Sequence, residues 1–353
     1  MIFSTVKKSE SILVGRYNAR AIYTASTFFN RRAVILIPGI GGNGPEEFIP
    51  GSMTTDSKDC LLFNEFAKAI NEADVATLQI GKPGIDYLSA KPYNASMYEN
   101  ATWDDLLNNV IDAIQFLVKK GYNTTNIHLL GHSEGAVVAV DVASIYKEKL
   151  AGIILLGFVG ENLLNMIKFQ LLEAPIEYLI KSTIDSNHDN LITKEEVSKW
   201  NDTLVWKFKP NQTSVPIKEI RKFVKNDPIR LNLLKEIEQS SIWQKVLKRK
   251  NIYKLTANLS NFLNVKCFHG ELDMHALVKN AVELKKSCER VLKKKNKNNN
   301  HKLCQVSIVK GVGHGFSVPK PPRSQMYADK TIGPPIQDFL DDLKNYAKTF
   351  VNY

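Results

Sequence analysis

Read for the spacing of apolar and polar side chains, the chain opens on two stretches of period two, SILVGRY and ARAIYTA, which predict an N-terminal β-hairpin. Ala33 to Gly39 (AVILIPG) then runs apolar without alternation, the mark of a strand covered on both faces, and ends in a glycine-rich turn. A helical period follows in LLFNEFAKAINEA, and a second buried strand in VATLQIG. After Thr102, the side chains of Leu106, Leu107, Val110, Ile111, Ile114 and Leu117 share one helical face, and Asp105 stands where a capping box needs its acid. The strand NIHLL (Asn126 to Leu130), the small-residue helix AVVAVDVASIY and the strand GIILLGF complete the run. Alternation of this kind predicts a mostly parallel central sheet with helices on both faces.

Beyond Phe158 the period changes. Glu161 to Ser260 reads as helices rich in lysine and glutamate, broken at Pro175, Pro210, Pro216 and Pro228. Strand-like order resumes at NVKCFHG and continues through the helix ALVKNAVELKKSCERVL, the strand CQVSIVKG and a helix from about Pro335. The expected organisation is one α/β core in two parts, residues 1–160 and 261–353, interrupted by a helical insertion over 161–260. A chain of 353 residues is long for one compact domain, and an insertion accommodates the excess.

Composition changes this picture little. Apolar residues make up 44% and charged residues 24%, enough for a sizeable core. Much of the net charge of +11 sits in the run KKKNKNNNHK (293–302), read as a solvated loop. Without an aromatic-interleaved basic module, nucleic acid is not an expected partner. No apolar run is long enough for a membrane span, and MIFSTVKKSE lacks the order of a secretory signal, so a cytoplasmic or otherwise soluble protein is expected, with export by another route left open. Six Asn-x-Ser/Thr sequons therefore carry little weight. Cys60, Cys267, Cys288 and Cys304 form no CxxC pair, and free thiols are expected in preference to a Cys288–Cys304 bridge.

The chemistry enters at Gly131-His132-Ser133-Glu134-Gly135, a G-x-S-x-G set between a predicted strand and a predicted helix. A serine held on so tight a turn leaves no room for side chains two residues before or after it. Serine is a weak nucleophile at neutral pH, so a carboxylate and a histidine should follow in that order, each beyond a strand. Asp273 follows NVKCFHG and His314 follows CQVSIVKG. Glu271 is the competing acid, nearer the strand end. His128, His132, His188, His269, His275 and His301 fall in a buried strand, the elbow, the acidic loop, the acid loop or the basic run, and none sits where the base is needed. The oxyanion donors are expected to be the backbone N–H of Glu134 and that of Ile40, with Gly41 second, in IPGIGGNG.

Together IPGIGG, KDCLLFNEFAKAINEADVATLQIGKPG, GHSEG, HGELD and GVGHGF resemble the α/β-hydrolase superfamily, in particular its dienelactone-hydrolase and prolyl-oligopeptidase-like serine esterase branches. The resemblance covers about Ala33 to Phe158 and Val265 to the C-terminus. It implies a serine hydrolase acting on a small-molecule acyl ester without an organic cofactor. Ser133, Asp273 and His314 match the nucleophile, acid and base, and Glu134 and Ile40 match the oxyanion donors. Two positions depart from the pattern: Pro38-Gly39 replaces the usual His-Gly, and IGKPG replaces an Asp-x-Arg-Gly.

The insertion falls where such hydrolases carry a cap, and LLNMIKFQLL and IWQKVL are candidate pocket walls. Within it DSNHDNLITKEE spaces oxygen ligands as an EF-hand loop does, with Asp185, Asn187 and Asp189, the Leu191 carbonyl, Thr193 and Glu196 as ligands of one Ca2+. Asn190 stands where the loop normally has glycine, and asparagine tolerates the left-handed backbone required there. The metal-free reading is a helix–loop–helix capped by Asp or Thr. No second loop is visible, so a structural clip is expected rather than a sensor. Thioester or peptide cleavage is the alternative chemistry, and a catalytically inactive calcium-stabilised interaction protein the alternative class. The sequence leaves oligomeric state open.

Overall fold

The computed structural model describes residues 8–26, 31–54, 56–88, 91–198, 208–247, 249, 252–293, 304–319 and 333–352. Strands β1 (Ser9–Val14), β2 (Ala19–Thr24) and β3 (Ala33–Ile37) are followed by the short β4 (Phe48–Ile49) and β5 (Cys60–Leu61), α1 (Leu62–Glu72), β6 (Ala76–Ile80), α2 (Ala95–Glu99) and α3 (Trp103–Lys119). Next come β7 (Ile127–His132), α4 (Glu134–Tyr146) and β8 (Gly152–Leu156). The insertion holds α5 (Leu163–Lys168), β9 (Leu191–Thr193), α6 (Lys194–Ser198), β10 (Ser214–Pro216), α7 (Ile217–Lys225), α8 (Pro228–Gln239) and α9 (Ile252–Leu259). The chain ends through β11 (Asn264–Gly270), α10 (Lys279–Lys293), β12 (Cys304–Val309) and α11 (Gln337–Lys348).

The main sheet has eight strands in the order β1-β2-β6-β3-β7-β8-β11-β12. From β6 to β12 every pairing is parallel, and the antiparallel β1–β2 hairpin extends one edge. Every residue of β3, β6, β7 and β8 is buried, which is why these segments read as unbroken apolar runs. Period two decides which face each side chain serves. Ala33, Ile35, Ile37, Leu129, Ile153 and Leu155 join the cluster under α3 and α4, whereas Val34, Leu36, Leu130, Ile154 and Leu156 meet α1 and α11 through Phe63, Phe66 and Phe339. Each valine, leucine, isoleucine or phenylalanine among them contributes about 1.5–3 kcal/mol by leaving water. Thr102 and Asp105 form the expected capping box at the start of α3.

In the insertion, α5 runs on into two π-wound stretches, Phe169–Glu173 and Pro175–Ile184, which lead directly to Asp185. Beside the expected helices the insertion holds a small sheet that the sequence reading did not include: β9 and β10 pair antiparallel with Ile192 opposite Val215. Three-residue strands flanked by lysine and proline carry too short a pattern to register as period two. Ile176, Ile180, Ile184, Ile192, Val215 and Ile220 build a small core of their own around this sheet, while Leu163, Ile167, Leu234 and Leu247 belong to the main core. Residues 199–207, within the second flank expected to be helical, and 294–302 of the basic run lie outside the described residues.

The expectation of free thiols is also corrected at one pair. Cys288 on α10 and Cys304 at the start of β12 are joined by a disulfide, their Cα atoms 5.8 Å apart, whereas Cys60 and Cys267 are buried free thiols. Sequence spacing could not decide this, since the pairing depends on α10 packing back along the edge strand β12. Closing a loop of this size stabilises by about 3 kcal/mol in the chain-entropy account. Reduction should therefore lower the melting temperature. The check is denaturing alkylation, expected to modify two thiols before reduction and four after it. Among the described residues no helix is long and apolar enough to cross a membrane.

Candidate active site

Ser133 sits between the end of β7 and the first residue of α4, with φ 55° and ψ −118°. A Cβ on Gly131 would stand 2.1 Å from the Gly135 carbonyl oxygen, and one on Gly135 would stand 2.1 Å from the Ile37 carbonyl oxygen. Both glycines are thus required by contact with backbone, which cannot yield as a side chain could. The Ser133 N–H donates to the Leu156 carbonyl at 2.8 Å and ties the elbow to the end of β8.

Asp273 and His314 arrive from the ends of the next two strands. The Asp273 carboxylate uses both oxygens: Oδ1 accepts the N–H groups of His275 (2.9 Å) and Ala276 (2.8 Å), and Oδ2 lies 2.8 Å from His314 Nδ1. Burial pushes the Asp273 carboxyl up, but the charge and hydrogen bond of His314, with His269 and His275 behind it, outweigh burial and hold it well below the usual carboxylate range. Glu271, the competing acid, is exposed and accepts the Gly311 N–H at 3.0 Å. It braces the loop that carries His314 instead of meeting the imidazole.

Two further histidine rings flank His314, His132 at 4.7 Å and His275 at 5.0 Å between centroids. Burial, followed by the charge of His314, lowers the His275 pKa to about 4, so this ring is neutral at physiological pH. His269 directs its Nε2 to the Ala276 carbonyl at 2.5 Å, with Asp273 Oδ2 farther off at 3.6 Å, and burial lowers its pKa.

The turn after β3 packs against Ser133, since a Cβ on Gly39 would come within 3.2 Å of Ser133 Cβ. Asn43 Nδ2 donates to the carbonyls of Gly39 (3.1 Å) and Ile40 (2.9 Å). In a trans peptide the N–H opposes the carbonyl, so the amides of Ile40 and Gly41 face away from Asn43. The Gly39 N–H is already committed, to Glu47 Oε1 at 2.8 Å. The Glu134 N–H opens α4, where helical geometry leaves it without an intrahelical acceptor.

Ser133, His314 and the Gly39–Asn43 turn share one cavity of about 610 Å³. Phe48, Ile49, Pro50 and Met53 from the core and Met166, Leu171 and Ile242 from the insertion give it an apolar wall. Both segments named from sequence as candidate walls thus contribute to it. The opposite end is charged. Lys82 Nζ meets Glu134 Oε1 at 2.6 Å, and the Trp243 indole N–H donates to Glu134 Oε2 at 2.7 Å, with Lys82 5% and Glu134 2% exposed. Lys82 is the lysine of IGKPG, so the departure at that position supplies the partner of Glu134, the residue after Ser133. Glu47 and Lys82 were missed as site residues, whereas Trp243 was covered only as part of the IWQKVL wall and His275 only as a histidine set aside for the base; of the two missed, Lys82 had a sequence signal, its place in the altered motif.

The acidic loop lies elsewhere in the insertion. Asn190 has φ 65°, the left-handed conformation needed at the sixth position. Asp185 accepts the N–H groups of Asp189 (3.1 Å) and Asn190 (3.0 Å), and Asn187 and Asp189 bond each other at 2.9 Å. Thr193 and Glu196 form a reciprocal pair, the Glu196 N–H donating to Thr193 Oγ1 (3.1 Å) and the Thr193 N–H to Glu196 Oε2 (3.0 Å). Glu196 Oε1 accepts from Ser186. Among the described residues no three histidine, cysteine, aspartate or glutamate side chains are grouped to hold a metal in this geometry. The donor set itself is all oxygen, the chemistry that calcium takes.

No family model matches the chain, and no curated protein does. Solved structures do. A proline iminopeptidase from Mycobacterium smegmatis is similar at 9% identity with a TM-score of 0.51, the likeness covering 98% of this chain and 99% of that one. Est1E from Butyrivibrio proteoclasticus matches at 13% identity over 98% and 99% of the two chains (TM-score 0.49), and the meta-cleavage product hydrolase from Pseudomonas fluorescens IP01 at 14% over 97% of each (TM-score 0.49). Identities this low speak to architecture alone, and the architecture of this chain is the α/β-hydrolase fold.

Proposed function

We propose that the chain is a serine hydrolase that cleaves carboxylic esters through an acyl-enzyme. One observation carries the reading: a buried Asp273–His314 pair at 2.8 Å opens on the same cavity as a serine held at φ 55° on an elbow. In this reading Ser133 attacks the ester carbonyl and His314 takes its proton, then returns it to the leaving alcohol. Asp273 holds the His314 Nδ1–H, so that Nε2 is the basic nitrogen. The amides of Glu134 and Ile40 bind the oxyanion. Water then releases the acyl group by the same proton path. The apolar wall of Phe48, Ile49, Met53, Met166 and Leu171 supports a small or medium acyl chain. A fluorophosphonate probe is expected to label wild-type protein at Ser133 and to leave Ser133→Ala unlabelled; equal labelling of that variant refutes the assignment.

The loop of Asp185, Asn187, Asp189, Leu191, Thr193 and Glu196 is proposed to hold one Ca2+ that ties the insertion together. Support comes from the left-handed Asn190 and from the pairing of Ile192, eighth in the loop, with Val215, eighth in the stretch 208–219 that ends at Glu219. That second stretch has Phe208, Pro210 and Gln212 at the early ligand positions and would hold no metal. Glu196, which here accepts from Thr193 and Ser186, would supply the carboxylate at the twelfth position, and the ion would supply charge neutralisation. At 100 times its dissociation constant the ion would stabilise by about 2.7 kcal/mol. Thermal melts in calcium and in EGTA should differ by several degrees with turnover of p-nitrophenyl butyrate preserved, and superimposable melts would leave the loop a capped turn.

A further inference from the structure

Glu47 has no role in the mechanism above, yet it is buried beside it and is costly to keep there. Its backbone is left-handed, φ 48°, outside the range an ordinary side chain prefers. The conformation is imposed by a turn, Glu47 N–H to the Gly44 carbonyl (3.1 Å), and by the start of α1, where the Leu62 N–H donates to the Glu47 carbonyl (3.4 Å). The residue is 2% exposed, and its Oε2 has no hydrogen-bond partner among the described residues. A buried carboxylate in this condition lowers stability unless it serves something else.

Its other oxygen meets two groups of the site. Glu47 Oε1 accepts the Gly39 N–H at 2.8 Å and lies 2.9 Å from His132 Nδ1, while His132 Nε2 lies 3.2 Å from the His314 carbonyl oxygen. With Glu47 as the carboxylate, both nitrogens of His132 face atoms that only accept. A neutral imidazole has one donor and one acceptor and can satisfy only one of these contacts; the imidazolium satisfies both. The other ionisable groups around the ring are His314, Asp273 and His275.

We infer that Glu47 is a positioning residue: it keeps His132 doubly protonated, and the Glu47–His132 pair joins the oxyanion turn at Gly39 to the base loop at the His314 carbonyl. The inference rests on the serine-hydrolase reading. Three segments far apart in sequence, the turn after β3, the elbow and the loop after β12, are in this way held in one register by two side chains. Burial works against a charged His132, but the charge and hydrogen bond of Glu47 and the bond to the His314 carbonyl prevail, so its pKa is raised, in agreement with the geometry.

The test uses the full chain with Glu47→Gln and Glu47→Ala. Glutamine can still accept from Gly39 but removes the charge that keeps the second proton on His132. In wild-type protein at pH 8, the ¹⁵N shifts of His132 should be those of an imidazolium, and in Glu47→Gln those of a neutral ring. Both variants should lose about 10²-fold in kcat and in the rate of fluorophosphonate labelling, a loss of the size seen when one oxyanion donor is removed, with KM within about threefold. Glutamine should retain more activity than alanine. Labelling separates the two readings. If wild-type protein is not labelled at Ser133, the hydrolase reading fails and this one with it. If it is labelled and Glu47→Gln reacts at the same rate, or if His132 is neutral in wild-type protein at pH 8, the positioning role alone is overturned.

Discussion

Asp273→Asn is expected to lower kcat by about 10⁴-fold, with the fold intact and KM little changed. The structure supplies the reason. Oδ1 already accepts two backbone N–H groups, from His275 and Ala276, so the amide oxygen of an asparagine must stay at that position. Its NH2 group then faces His314 Nδ1, 2.8 Å from the present Oδ2. The imidazole can only answer by placing its proton on Nε2, which leaves nothing to accept the proton of Ser133. Retention of more than a tenth of wild-type kcat would show that another residue orients the base. A stability signature accompanies this. The folded carboxyl titrates well below the usual range, so its contribution is fully present above the unfolded value of about 3.9 and fades as pH falls through the folded one. Urea unfolding from pH 7 to pH 2 should show the gap between wild type and variant closing only below about pH 4.

Lys82→Met should be the most destabilising single change at the charged end of the cavity, at about 3–5 kcal/mol. The Glu134 carboxylate is buried with two partners, Lys82 at 2.6 Å and Trp243 at 2.7 Å. Methionine fills similar space but leaves a buried negative charge with one indole N–H for company. The cost arises from that stranded charge, since a well-packed neutral replacement of both partners is often tolerated. Lys82→Met with Glu134→Gln should therefore recover most of the loss, because the neutral amide keeps an acceptor for Trp243. Urea midpoints of the wild type, the two single variants and the double variant give the coupling directly. A Lys82→Met loss below about 1 kcal/mol would mean that water reaches Glu134 and screens it. Because Trp243 comes from the insertion and Lys82 and Glu134 from the core, the same series reports on how firmly the insertion is seated.

Much of this was legible in the sequence for reasons that can be named. The strands over Ala33–Ile37, Ile127–His132 and Gly152–Leu156 are buried on both faces, and that burial is what writes an unbroken apolar run into the chain. The elbow was legible because its two glycines are fixed in a five-residue pattern, Gly131 by the Gly135 carbonyl within the motif and Gly135 by the Ile37 carbonyl of the neighbouring strand. Asp273 and His314 were singled out by order and by their places beyond strand ends, with Asp273 preferred to Glu271; the distances add that Asp273 meets His314 while Glu271 bonds the Gly311 N–H.

What pattern along the chain determined, then, was the succession of elements, the α/β core, the elbow motif and the short set of candidate residues, because all of these can be read from residue type, spacing and order without any distance. Tertiary structure alone decided which distant groups meet. Glu47 bonds His132 across 85 residues, Lys82 pairs with Glu134 across 52, and Trp243 reaches Glu134 across 109. The β9–β10 pairing and the Cys288–Cys304 bridge are of the same kind. A hydrogen bond or an ion pair depends on a separation of about 3 Å, and sequence carries no record of that distance once the partners lie on different elements.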